Sequence, residues 1–259
     1  MISTNYLEIL GRGLSAWNLW REENPGEQPR LRGANLFEAN LEGANLSRAD
    51  LEEADLRKAN LFSANLKMAR LRYARLAEVD LGKANLGKAD LKRSGLEDAN
   101  LNSAKLNEAD LRGASFHNAL LAKSSLEWAN LEHSRLDGAN LNGALLNEAN
   151  LEGASIVGAD LTRAVLRRAR LRGSTLDETC LLNADLREAD LRGDLRGADL
   201  RKADLRGADL RAADLREADL SDAELDHTNF YGANLRGANI TGVDLRGADG
   251  SLSHVRQRM

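Results

Sequence analysis

Leucine recurs every fifth residue from Leu31 to Leu191, resumes one position early at Leu195 and continues to Leu245. Alanine usually stands two places before it and Asp or Asn one place before it, as in Ala34-Asn35-Leu36 and Ala208-Asp209-Leu210. About forty-four tandem five-residue units therefore fill nearly the whole chain, and a repeat this regular dictates architecture. An α-helix turns about 100° per residue, so leucines five apart would drift by roughly 140° at each step and could not share a buried face. A straight strand would send successive leucines to opposite faces. What remains is a short extended piece that buries the Ala and the Leu, followed by a corner that redirects the chain.

The corner residues agree. Two places after the Leu stands a Gly at Gly33, Gly43, Gly113, Gly153, Gly197, Gly207 and Gly237. In a turn that begins at the Leu, this is the position where a type II turn needs φ > 0. Units without Gly there, such as Glu52-Glu53, are expected to use a type I turn, which most residues tolerate. Pro25 and Pro29 both precede the first unit, as expected if every later amide donates to a neighbouring coil.

On these residues the chain resembles the pentapeptide-repeat family, over roughly residues 30 to 249. The resemblance implies an all-β solenoid, a right-handed quadrilateral β-helix in which four units close one square coil. About eleven coils at roughly 4.8 Å would make a rod on the order of 50 Å long. Leu36, Leu56, Leu111, Leu166 and Leu210 would fill its axis, with Phe116 and Phe230 as larger and Ile156 and Ile240 as similar-sized replacements. Val79, Ser94, Ser124, Ser134, Ser174, Thr179, Thr228 and Val243 replace the alanine, volume changes that a dry core can absorb.

Residues 5 to 24 leave the repeat and read as helix, with Tyr6, Leu10, Leu14, Trp17 and Leu19 near helical spacing and Asn24-Pro25 as the stop. A stack of coils exposes an apolar end and unpaired edges, so this helix is expected to be a lid. The segment from Leu7 to Pro25 also resembles the N-terminal cap of many bacterial, especially cyanobacterial, members of the family. The organisation expected is a cap over 1–30, a solenoid over 31–249 and a tail over 250–259, too short for a second lid. An uncapped last coil could stack on its twin, giving a homodimer through the C-terminal coils. At Leu191-Arg192-Gly193-Asp194-Leu195 one residue is missing, which a tighter corner would accommodate.

Composition narrows the role. Aromatic residues make up 4 % of the chain, as a narrow axis requires, and 36 basic against 40 acidic residues leave a net charge of −4. The surface is heavily charged and almost balanced. Between Leu186 and Leu220 an Asp before each Leu alternates with an Arg after it, so the arginines can offset the repulsion of stacked carboxylates. No apolar run is long enough to span a membrane, no export signal is evident and Cys180 is alone, which together point to the cytoplasm.

The chemistry of an active site is not legible. His117, His133, His227 and His254 are scattered, without metal-ligand spacing to one another or to Cys180, and no cofactor motif is present. Gly11-Arg12-Gly13 follows no strand and is not a phosphate loop, and Arg192-Gly193-Asp194 is the general repeat minus an alanine, not an adhesion motif. The chain reads as no enzyme. Folded four units per coil, the first face carries a basic stripe that includes Arg72, Lys92 and Arg112, but neighbouring Asp residues cancel much of its field, so nucleic acid is disfavoured. Exposed Phe37, Phe62, Tyr73 and Trp128 suit a protein partner better, with Trp128 foremost. The expected function is a noncatalytic structural or protein-binding solenoid whose partner is unidentified. The alternative that the resemblance suggests is a DNA-mimicking protein that binds DNA gyrase, as quinolone-protecting members do. That mechanism needs a strongly negative rod, and this chain is nearly neutral per coil.

Overall fold

The computed structural model describes residues 5–250. Parallel bridges join each Asp/Asn position to the one twenty residues later, from Arg30 to Asp50, Asn35 to Asp55, Asn40 to Asn60 and Asn45 to Asn65 onward. Four five-residue units thus make one square coil, and coils beginning at 30, 50, 70, 90, 110, 130, 150, 170, 190, 209 and 229 stack into a right-handed quadrilateral β-helix. The four faces are numbered from the units centred on Leu31, Leu36, Leu41 and Leu46, and each corner takes the number of the face it leaves.

The backbone amides of one unit account for the repeat position by position. The Ala amide closes the turn onto the Leu carbonyl three residues back, as in Ala54 to Leu51 at 3.0 Å. The Asp/Asn amide donates to the Ala carbonyl of the preceding coil (Asp55 to Ala34, 2.9 Å) and the Leu amide to the following coil (Leu51 to Arg70, 2.8 Å). The third residue after the slot also donates onward (Glu53 to Arg72, 2.9 Å). That leaves the amide just after the Leu, which no coil can reach. The slot side chain accepts it: Glu52 N–H donates to Asp50 Oδ1 at 3.2 Å, Phe62 to Asn60 at 3.0 Å and Asn142 to Asn140 at 3.0 Å. A buried or half-buried amide without a partner is costly, so the Asp/Asn before each Leu is a backbone requirement as much as a surface feature. Where the slot is Leu120 or Ser155, a side chain from the coil below substitutes: Asn102 Oδ1 accepts from Ala122 N–H and Asp137 Oδ1 from Val157 N–H.

Corner geometry departs from the sequence expectation. Glu53 has φ 60°, and Arg48, Lys88, Trp128, Arg168 and Ala212 all lie between 55° and 60°, alongside Gly33 at 64° and Gly207 at 70°. The residue-tolerant turn expected at Glu52-Glu53 is absent; corners with and without Gly share the left-handed conformation. The reason is the ladder. The third amide must point along the axis to reach the next coil, and only φ > 0 aims it there, so the hydrogen bond overrides a local cost of about 1–2 kcal/mol per non-glycine residue.

Inside, Leu36, Leu56, Leu111, Phe116, Leu166, Leu210 and Phe230 are all buried, and most of the alanines that flank them are buried too. Burying a leucine contributes about 1.5–3 kcal/mol, repeated at every rung. Three of the four serines in the alanine position return their hydroxyl to the turn: Ser94 donates to Leu91 O, Ser124 to Leu121 O and Ser174 to Leu171 O at 2.6–2.7 Å, whereas the buried Ser134 hydroxyl has no partner among the described residues. Thr179 and Thr228 donate instead to the preceding coil at the same corner, to Ile156 O and Leu205 O.

The rephasing lies at the corner after Leu191. Register drops from twenty to nineteen residues between Arg170–Asp190 and Thr175–Asp194, then returns to twenty at Asp194–Asp214. Gly193 carries the ladder bond of an alanine position, its carbonyl accepting from Asp214 N–H at 3.0 Å, so the residue lost is the left-handed corner residue. A Cβ on Gly193 would sit 2.5 Å from Ser174 O, which is why the short unit holds a glycine.

The cap is two helices where the sequence suggested one: α1, Tyr6–Gly11, and α2, Leu14–Glu23, separated by Gly13 at φ 102°. Helix α2 supplies the hydrogen bonds a preceding coil would give. Trp17 Nε1 donates to Asn45 O (3.0 Å), Asn18 Oδ1 accepts from Asn45 N–H (2.8 Å), Asn18 Nδ2 donates to Gly43 O (3.2 Å) and the Arg21 guanidinium donates to Ser47 O (3.0 Å). Trp17 is completely buried over the first coil. The lid therefore ends the ladder as well as covering the apolar end.

Candidate functional site

The most regular surface feature is a fork. In Asp-Leu-Arg units the slot carboxylate takes the backbone amide of the Arg on Oδ1 and the guanidinium on both oxygens: Arg57 on Asp55, Arg112 on Asp110, Arg187 on Asp185, Arg201 on Asp199, Arg211 on Asp209 and Arg216 on Asp214. Bidentate, charge-assisted bonds of this kind favour the ionised carboxylate. The Arg57 fork holds Asp55 down to about 2 and the Arg246 fork does the same for Asp244. Partial burial pushes Asp110 up, but Arg112 and Lys92 outweigh it and bring it to about 2. Asp190, Asp194, Asp209 and Asp214 are lowered too, each first by the Arg two residues on.

The three bases Arg72, Lys92 and Arg112 of the first-face stripe are consumed by such pairings. Arg72 Nε meets Asp90 at 2.5 Å on the coil above, Lys92 Nζ meets Asp110 at 2.9 Å, and Arg112 closes onto Asp110 at 2.8 Å. Below them Glu52, almost buried, takes Arg32 and Arg70. Two of the four predicted aromatic contacts are also engaged. The Arg57 guanidinium lies 5.4 Å from the Phe37 ring centre and Lys83 Nζ lies 5.3 Å from that of Phe62.

Tyr73 and Trp128 remain, exposed by 48 % and 55 %. Tyr73 adjoins Arg72 on the first corner; Trp128 stands on the fourth corner, at the other edge of the first face, on the same coil as Arg112. These residues bracket one face, whereas Phe37 sits on the second corner and Phe62 on the third, away from it. Sequence reasoning missed a different set. Lys83, Lys123, Arg163 and Lys202 occupy the third corner on every second coil, and none joins an ion pair among the described residues. Writing the chain in rows of twenty and comparing bases with nearby acids would have found them.

Among the described residues no group of three or more His, Cys, Asp or Glu could hold a metal ion. Depressions in the surface are shallow and lined by the Arg and Glu columns, as at Asp177, Arg196, Arg216 and Arg236. Cys180, in a slot of the third face, lies 3.2 Å from Thr162 Oγ1. No helix among the described residues is long and apolar enough to cross a membrane.

The sequence profile of the family described as Pentapeptide repeats (8 copies) matches residues 30–67, 69–107, 95–132, 124–163, 154–193, 194–230 and 213–249. The chain belongs to this family. Among solved structures it is similar to HetL, a pentapeptide repeat protein involved in heterocyst differentiation regulation from the cyanobacterium Nostoc sp. strain PCC 7120, with 33 % identity over 89 % of this chain and 94 % of HetL and a TM-score of 0.61. It is also similar in fold to QnrB1, a plasmid-mediated fluoroquinolone resistance protein, with 16 % identity over 68 % of this chain and 93 % of QnrB1 and a TM-score of 0.40. No curated protein matches the chain.

Proposed function

We propose that the protein is a noncatalytic solenoid that binds another protein, acting as a rigid scaffold in the cytoplasm. The observation that carries this reading is the first face. Arg72, Lys92 and Arg112 are satisfied in place by forks and cross-coil pairs, and a large aromatic group stands exposed at each edge, Tyr73 and Trp128. Exposed aromatics beside arginines are the residues that dominate protein interfaces. HetL, matched along nearly its whole length, is involved in heterocyst differentiation regulation, and a regulatory setting is compatible with this reading. Affinity capture from a lysate of the source cells tests it: wild-type protein should retain a partner that Trp128→Ala or Arg72→Glu loses. Equal capture by all three would remove this face from the account.

The same forks weigh against a DNA mimic. Such a rod must present uncompensated negative charge to a basic groove, and here an Arg covers the slot carboxylate on each of the four faces in turn, at Asp199, Asp204, Asp209 and Asp214. A homodimer through the C-terminal coils is part of the proposal. In the last coil Leu235, Ile240 and Leu245 are only half-buried, and a two-fold partner would bury them. The tail beyond 250 lies outside the described residues. Light scattering should give twice the chain mass; a monomer at high concentration would end the dimer.

A further inference from the structure

The third corner differs from the other three. The residue two places after the Leu reads, coil by coil from the third to the ninth, Lys83, Ser103, Lys123, Gly143, Arg163, Asn183 and Lys202. A cation stands on every second coil, a small uncharged residue lies between, and the alternation survives the missing residue at Gly193. All four cations are exposed. Three corner bases elsewhere find an acid on the next coil, Lys58 with Glu78 on the second corner and Lys88 with Glu108 and Arg168 with Glu188 on the fourth. Here Lys83, Lys123 and Arg163 meet only Ser103, Gly143 and Asn183 on the next coil, and Lys202 alone faces an acid, Asp222, without pairing with it among the described residues. Lys123 runs its stem over Gly143, 3.8 Å from where a Cβ would be.

The flanks reinforce this. The other corner residues are Gly82, Asn102, Ala122, Asn142, Thr162, Leu182 and Arg201, without one acid. Carboxylates on the adjoining third face are occupied: Asp80 by Gly82 N–H and Asn100, Asp160 by Thr162 N–H, and Asp199 by Arg201. On the fourth face Asp185 and Asp204 are held by Arg167, Arg187 and Arg206, while Lys105 adds a further unpaired base. The edge is a line of four cations about 9.6 Å apart, roughly 29 Å long, at two coils of about 4.8 Å per step.

We propose that this corner is a docking edge for an acidic α-helix that carries one carboxylate per heptad and lies along the rod. Seven helical residues rise about 10.5 Å, within about 1 Å of the cation spacing, and flexible Lys and Arg stems absorb the difference over three steps. Asn102, Asn142, Ser103 and Asn183 offer neutral hydrogen-bonding groups beside the charges. A nucleic-acid strand is a poorer match. Single strands depend on stacking platforms, and the aromatic at this edge, Phe62, lies under Lys83.

The inference rests on the protein-binding reading and gives the partner a chemistry. The test is fluorescence anisotropy with a labelled synthetic helix of about 28 residues, one Glu per heptad on an Ala/Gln background. Purified protein should bind it in a salt-sensitive way. Combining Lys83→Gln, Lys123→Gln, Arg163→Gln and Lys202→Gln should weaken binding about tenfold or more. The equal charge change Arg48→Gln, Arg93→Gln, Arg172→Gln and Arg236→Gln, also at unpaired bases, should cost less than about threefold. Unchanged melting temperatures confirm that both variants fold. No binding, or equal loss in both variants, overturns the proposal; so does binding of an oligothymidylate, but not the helix, through the same four residues. Such a failure leaves capture through Trp128 untouched, so the two readings fall separately.

Discussion

Ala212 isolates the cost of the left-handed corner. It holds φ 55° at the first corner, its amide donates to Tyr231 O at 3.0 Å, and its exposed methyl is all that distinguishes it from glycine. Ala212→Gly removes a conformational cost of about 1–2 kcal/mol. It adds unfolded-state entropy worth about 0.5–1 kcal/mol. The difference is a net gain of about 0.7 kcal/mol, or roughly 2 °C in melting temperature for a chain of this size. Gly173 provides the reverse experiment on the same corner. Its φ is 69° and nothing lies within 4 Å of an added Cβ, so Gly173→Ala carries the conformational cost without a clash and should lower the melting temperature by a similar amount. Thermal denaturation followed by circular dichroism reads both shifts. Loss of stability in Ala212→Gly, or a gain in Gly173→Ala, would refute the view that the ladder holds these corners in a strained conformation.

Three further expectations follow from the same geometry. Gly193→Ala drives a Cβ into Ser174 O at 2.5 Å and should destabilise by about 1–3 kcal/mol, read as a fall in melting temperature; a neutral result would show that the short corner has slack. Asn18→Ala leaves Asn45 N–H and Gly43 O on the first-coil edge without their side-chain partner and should cost about 1–3 kcal/mol, with faster amide exchange confined to the first coil. The forked carboxylates have folded pKa values below their unfolded range near 4, so their contribution is complete above that range and is lost as pH falls through the folded values, about 2 for Asp55, Asp110 and Asp244. Melting temperature should therefore decline between about pH 4 and pH 2. In Arg57→Gln the Asp55 carboxyl should titrate closer to its ordinary range by carbon NMR.

The pattern that builds the tube was legible because side chains enforce it. Leu111 and Phe116 can go nowhere except the axis, and the alanines beside them must be small for the square to close. The corner conformation was not legible at Glu53 or Lys88. There it is imposed by an amide reaching the next coil, and a surface Glu or Lys carries no mark of that. The Asp/Asn slot was visible as a rhythm, but its purpose, accepting the amide after the Leu, needs the backbone to be seen. The cap's aromatic spacing was plain, while the break at Gly13 and the capping bonds of Asn18 depend on how α2 meets the first coil.

The surface was harder to read because charge in a sequence says nothing about distance. Arg72, Lys92 and Arg112 looked like a basic stripe, and each lies within an ion pair of an Asp on its own or the next coil. Lys83, Lys123, Arg163 and Lys202 attracted no notice at intervals of about forty residues, although two coils bring them into line. Net charge near zero conceals both a compensated face and an uncompensated edge.

The rod itself, with twenty residues to a coil and one shortened coil, underlies every surface described. Spin labels on cysteines replacing Ser63 and Asn183, and in a second protein Ser63 and Asp222, both with Cys180→Ser, measure it by pulsed electron resonance. Six and eight coils of about 4.8 Å predict label separations near 29 Å and 38 Å, the second spanning the slip at Gly193. Separations that do not grow by one rung for each coil would contradict the account.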